Sequence, residues 1–175
     1  RIERHPKPVK ARSVDSLAVP SSRTVRKVWL HGNQLTGPMP SWFAELHDLE
    51  EWIAFGNDLT GPLPHGQPDK LRYLNLRSNN INGTIPETMW SILASPPLET
   101  IILDHNNLSG PLPSSTYGLS IQKLYLHNNS LTGLVPEGFA QNWLQLVELK
   151  IDQNNLTGVL GPVVDDPRID DVCPR

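Results

Sequence analysis

Apolar residues return along this chain in one fixed pattern. An apolar residue is followed by two variable positions, an apolar, a variable, an apolar, two variable, an Asn, a variable and an apolar residue. Six segments carry it in register over sixteen positions: VRKVWLHGNQLTGPMP from Val25, LEEWIAFGNDLTGPLP from Leu49, LRYLNLRSNNINGTIP from Leu71, LETIILDHNNLSGPLP from Leu98, IQKLYLHNNSLTGLVP from Ile121 and LVELKIDQNNLTGVLG from Leu146. The starts are 24, 22, 27, 23 and 25 residues apart. Self-similarity at such a period predicts a solenoid, in which each repeat is one coil and its core is completed by the coils beside it.

Each position has a physical task. Leu71, Leu74 and Leu76 in the third copy point inward from a short strand. The Asn that follows (Asn33, Asn57, Asn79, Asn106, Asn129, Asn154) sits where the chain leaves the strand. Its amide is expected to serve backbone groups of neighbouring coils, because buried turn backbone must find partners. Leu35, Leu59, Ile81, Leu108, Leu131 and Leu156 close the core, and a Gly stands two residues later in every copy, from Gly37 to Gly158. A Gly at a fixed offset signals a positive φ or a close backbone approach. Pro40, Pro64, Pro86, Pro113 and Pro136 then end the ladder, since Pro has no N–H to donate. The outer segments run from six to eleven residues. SWFAELHD after Pro40 suits a helical turn that buries Phe43 and Leu46. ETMWSILASPP after Pro86 suits a short helix, and HGQPDK after Pro64 only a turn.

These residues carry a resemblance. The L-x-x-L-x-L-x-x-N-x-L core with its Leu-Thr/Ser/Asn-Gly-x-apolar-Pro tail is similar to the plant-type leucine-rich repeat family of receptor-like ectodomains and polygalacturonase-inhibiting proteins. It covers residues 25–162. The expected fold is therefore an α/β solenoid of about six coils, with a parallel sheet on the concave face and an irregular, short-helical convex face. The resemblance further implies a right-handed superhelix and a second, shorter strand in the Gly-Pro tail. It also implies cysteine pairs at both ends, from which this chain departs: Cys173 is its one cysteine.

Composition changes the picture mainly at the ends. The net charge is −3, which argues against a nucleic-acid partner, and no apolar run reaches the roughly 18 residues of a membrane span. Residues 1–23 hold six Lys/Arg against two Asp/Glu and no repeat. The expected division is a basic arm or N-terminal cap at 1–23, the solenoid at 24–162, and a cap or tail at 163–175. In the arm, Ser16 to Pro20 offer an apolar edge for Val28 and Leu30; in the tail, Val163, Val164 and Ile169 are candidates to seal the last coil.

Strand residues that alternate with the core form columns, one residue per coil, about 4.8 Å apart. The central column reads Trp29, Ile53, Asn75, Ile102, Tyr125, Lys150, and the column on the Asn side reads His31, Phe55, Arg77, Asp104, His127, Asp152. The third reads Lys27, Glu51, Tyr73, Thr100, Lys123, Glu148. Trp29, Ile53, Phe55 and Tyr73 are expected to group as an exposed aromatic patch, which marks interaction surfaces. Arg77, Asp104, His127 and Asp152 are expected to form a polar patch, with His127 held in its charged form between two carboxylates. Two carboxylates and one His are too few for a dedicated metal centre, so no metal and no cofactor are expected.

None of the six His stands at metalloprotease spacing, and there is no G-x-S-x-G, phosphate loop or dinucleotide fingerprint. The chain thus reads as a non-enzyme that recognises protein partners through its concave face. The alternative is an accessory subunit of a larger, peripherally membrane-associated complex, held by the arm and tail. Trp29, Phe55 and Tyr125 also suit stacking on a glycan or small ligand. Four glycosylation acceptors, Asn82, Asn107, Asn128 and Asn155, favour a secretory, extracellular or lumenal location over the cytosol, although the repeat itself generates two of them.

Overall fold

The computed structural model describes residues 12–14, 24–90, 98–113, 120–135 and 145–158. Every repeat makes two short strands, and like strands of successive coils pair in parallel. One sheet has six strands: β2 (Lys27–Trp29), β4 (Glu51–Ile53), β6 (Tyr73–Asn75), β8 (Thr100–Ile102), β10 (Lys123–Tyr125) and β12 (Glu148–Lys150), each beside the next. The register is that of the sequence repeat: Trp29 opposes Ile53, Ile53 opposes Asn75, Ile102 opposes Tyr125 and Tyr125 opposes Lys150. The solenoid fold and its parallel sheet are therefore in place.

The second sheet comes from the Gly-bearing tails: β3 (Leu35–Gly37), β5 (Asp58–Gly61), β7 (Asn80–Gly83), β9 (Asn107–Gly110), β11 (Ser130–Leu134) and β13 (Asn155–Thr157). Its seventh strand is β1 (Arg12–Ser13), which pairs in parallel with Leu35 and Thr36. The next residue, Val14, is fully buried. Three residues of the basic segment thus complete the first coil. Ser16 to Pro20, Pro136, Gly161, Pro162, Val163, Val164, Ile169 and Cys173 lie outside the described residues.

Between the sheets runs one apolar core. Leu71, Leu74 and Leu76 are at most 2% exposed, as are their equivalents Ile101, Leu103, Leu124 and Leu126. A fully buried Leu or Ile contributes roughly 1.5–3 kcal/mol of transfer free energy. On the outer side, a 3₁₀ turn at Ser41–Glu45 buries Trp42 and Phe43, which meet Trp52 edge-on at 6.3 and 5.1 Å. A second 3₁₀ turn spans Glu87–Trp90.

The Asn ladder carries the polar bookkeeping of the stack. Asn106 Nδ2 donates to the Leu76 carbonyl one coil back and to the Leu103 and Asp104 carbonyls of its own coil, at 3.0, 3.1 and 3.3 Å. Its Oδ1 accepts from the Ile81 N–H at 3.0 Å. Asn57, Asn79, Asn129 and Asn154 repeat this arrangement. Asn33, in the first of the six segments, reaches the Leu30 and His31 carbonyls of its own coil.

Candidate functional site

The side chains between the core positions of the six-stranded sheet form one face, with different chemistry at its two ends. At the N-terminal end Trp29 is 60% exposed. Its Nε1–H donates to Glu51 Oε2 at 3.2 Å, and Lys27 lies 6.0 Å from its ring. Lys27 also pairs with Glu51 at 2.7 Å. The hydrogen bond from Lys27 is the main cause that holds the Glu51 carboxyl below its ordinary range; burial opposes it and the Trp29 bond adds to it.

His31 and Phe55 stack at 4.7 Å between centroids with planes 12° apart. Ile53, Phe55 and Tyr73 are half-buried rather than open, because each strand residue is flanked by its equivalents on adjacent coils. The apolar patch is therefore Trp29 standing proud of a shallower floor.

The C-terminal end differs from the reading of the columns. Asp104 is fully buried, not a surface residue. Three side chains converge on its Oδ2 and cover it: Arg77 Nε at 3.1 Å, His105 Nδ1 at 2.8 Å and His127 Nε2 at 3.3 Å. Asp104 Oδ1 and His127 Nδ1 are buried without a hydrogen-bond partner. Asn128 Nδ2 lies 3.1 Å from His105 Nε2. This fixes the tautomer of His105: Nε2 accepts from the amide, and Nδ1–H donates to Asp104.

His127 also corrects an expectation. Its pKa is lowered, chiefly by burial. Asp104 and Asp152 oppose that effect, while His105 and Arg77 add to it. Desolvation outweighs the two carboxylates, so His127 favours its neutral form.

Asp152 is half-buried one coil further on. Lys150 Nζ lies 5.0 Å over the Tyr125 ring, and the Tyr125 hydroxyl donates to Glu148, which also pairs with Lys123 at 2.5 Å. Tyr125 is thus clamped between charged neighbours. Asn75 is buried too, with its Oδ1 accepting from the Arg77 N–H at 3.1 Å.

His105 is the residue that column reading passes over. It stands directly before the ladder Asn, where its equivalents are Gly32, Gly56, Ser78, Asn128 and Gln153, and all six have φ between 51° and 66°. Two glycines and an Asn at one offset are the sequence signal for that left-handed turn. The turn brings the residue at this offset beside the column at the strand's end.

Among the acceptor sites, Asn82, Asn107 and Asn155 are exposed along the second sheet. Asn128 is half-buried, with its amide engaged by His105.

Comparison with known proteins places this geometry. The family profile described as Leucine Rich Repeat matches residues 24–46, 70–92, 97–119 and 120–142. Receptor-like protein 13 of Arabidopsis thaliana is 35% identical over 142 residues, 80% of this chain and 13% of that protein. Receptor-like protein 6 of the same organism is 40% identical over 82 residues, 46% of this chain and 8% of that protein. The chain therefore spans a small part of the length of these relatives. Among solved structures, the Arabidopsis receptor kinase HAESA, in complex with the peptide hormone IDA and the co-receptor SERK1, superposes with a TM-score of 0.78 at 27% identity. That match covers 86% of this chain and 25% of the other.

Proposed function

The chain belongs to the leucine-rich repeat family, in its plant type related to receptor-like ectodomains, and on that premise we propose that it is a non-catalytic module that binds a protein or peptide through the concave face of its six-stranded sheet. One observation carries the reading: Trp29 presents 60% of its surface on that face beside Ile53, Phe55 and Tyr73. A large aromatic held by a hydrogen bond at its polar edge, with its ring left in water, has the form of an interface anchor. The stacked His31–Phe55 pair widens the floor by one column, toward the ladder Asn, on the same two coils as Trp29 and Ile53. Arg77, Tyr125, His127, Lys150 and Asp152 supply a polar rim, with Asp104 beneath it as support.

Relatives of this architecture bind proteinaceous partners, as the HAESA complex with a peptide hormone and a co-receptor illustrates. An extracellular or membrane-associated setting follows from the same kinship. Among the described residues no helix is long and apolar enough to cross a membrane. The reading of an accessory subunit held by its basic segment has less support, because Arg12–Val14 are spent on closing the first coil.

The test is recovery of interactors from an extract of the source tissue by wild type, by Trp29→Ala/Phe55→Ala, and by His65→Ala on the outer side. Loss of the same interactors in the double variant alone supports the reading. Equal recovery by all three overturns it.

A further inference from the structure

The cluster at the C-terminal end of the sheet is more than a buried ion pair. We propose that Asp104, His105 and His127 form a binding site for a zinc-class divalent cation. Column reading set metal aside because it counted Asp104, His127 and Asp152; the left-handed turn at His105 (φ 56°) replaces one of those carboxylates with an imidazole. The result is a two-His, one-carboxylate set, with one ligand atom from each residue and all three atoms within 4.8 Å of one another.

Distances favour this reading. Zinc bonds of about 2.0–2.2 Å at tetrahedral angles place neighbouring ligand atoms roughly 3.3 Å apart. The gap between His127 Nε2 and Asp104 Oδ2 is already 3.3 Å. The gap between His105 Nδ1 and Asp104 Oδ2 is 2.8 Å and must open by about half an ångström, well within the reach of a side chain on an exposed turn.

Polar atoms without partners point the same way. A fully buried carboxylate that leaves Oδ1 unpaired carries a desolvation cost that its present contacts offset only in part. When a cation takes Oδ2, the half-exposed Arg77 guanidinium can shift from Oδ2 to Oδ1, and the unpaired atom gains a donor. For Nδ1 to ligate, the His105 proton moves to Nε2, and Asn128 must turn its amide so that Oδ1, not Nδ2, faces that N–H; the residue for the outer contact that orients a ligating imidazole is thus already 3.1 Å away. Three protein ligands leave a fourth position open to water or to a donor atom of a bound partner. This site lies at the opposite end of the sheet from Trp29, so its success or failure is independent of the proposed function.

The experiment is calorimetric titration of the full chain with Zn²⁺ in metal-free buffer, followed by Co²⁺, whose visible absorption reports tetrahedral coordination. Two variants preserve the fold by borrowing residues from other coils. His105→Gly copies Gly32 and Gly56 at the same left-handed position, and His127→Phe copies Phe55 in the same column. His105→Asn, equally tolerant of that φ, is the second variant at that position, and thermal melts check that each is folded. His47→Ala, in the exposed His47–Asp69 pair, is the control. The expected result is one equivalent of Zn²⁺ bound at micromolar level, weakened at least tenfold by each His105 and His127 variant, unchanged by His47→Ala, with a tetrahedral Co²⁺ spectrum. Absence of binding below millimolar Zn²⁺, or binding that survives the His105 and His127 changes, overturns the proposal.

Discussion

The Trp29 indole N–H donates to the Glu51 carboxylate of the next coil at 3.2 Å, so a ring that is 60% exposed is tethered by its one polar atom. Lys27 shares the same carboxylate at 2.7 Å. The three side chains make one unit, in which Glu51 fixes how Trp29 is presented.

That unit has a pH dependence with a definite sign. Glu51 has its folded-state pKa lowered, first by the hydrogen bond from Lys27. Its contribution is therefore fully present above the unfolded value of 4.5 and is lost as pH falls through the lower folded value. Carboxyl NMR titration of Glu51 should place its midpoint below 4.5 in wild type and higher in Lys27→Met. An unchanged midpoint in the variant contradicts the assignment of Lys27 as the main cause.

The Asn ladder predicts a position-dependent cost. Asn106→Ala strands the buried Ile81 N–H and removes the inter-coil donor of the Leu76 carbonyl, which keeps only the Asn79 amide of its own coil. The loss should be about 2–4 kcal/mol, read from urea unfolding. Asn33→Ala, at an exposed site with bonds within its own coil, should cost less than about 1 kcal/mol. Equal costs at the two positions would contradict the inter-coil role.

Gly110 predicts a separable strain. Its φ is 77°, and a Cβ there would meet Thr84 Cγ2 at 2.8 Å. Gly110→Ala should destabilise by roughly 1–3 kcal/mol, part from the left-handed backbone and part from the clash. In a Thr84→Ala background the steric part disappears and the backbone part stays. A double-mutant cycle that shows no coupling between the two sites refutes the contact.

Val14 tests whether residues 12–14 cap the stack. It is fully buried beside a strand of only two residues. Val14→Ala should cost roughly 1–3 kcal/mol in urea unfolding, and an unchanged stability would contradict the capping role.

Much of this architecture is legible in the chain because a repeat states the same constraint six times. Leu74 and Leu103 could be assigned to the core from register alone, and both are buried. The ladder Asn residues were equally plain, since one residue type at one offset leaves few physical reasons. What failed to show was whatever depends on side chains from different coils. Asp104 occupies a column that faces outward, yet Arg77, His105 and His127 close over it. His105 lies outside every column and enters the cluster through a turn whose signal is spread over five residue types at six positions. Arg12–Val14 add one rung, too short to display any period. The charge state of His127 followed from burial, a quantity the sequence does not carry.

The central claim is that a partner docks on the sheet face around Trp29, and photo-cross-linking tests it most directly. A benzoylphenylalanine placed at position 29, and separately at position 65 on the outer side, is irradiated in an extract of the source tissue. A discrete protein or peptide adduct from position 29 and none from position 65 is the predicted result. Adducts from position 65 alone, or the same adducts from both, would contradict it.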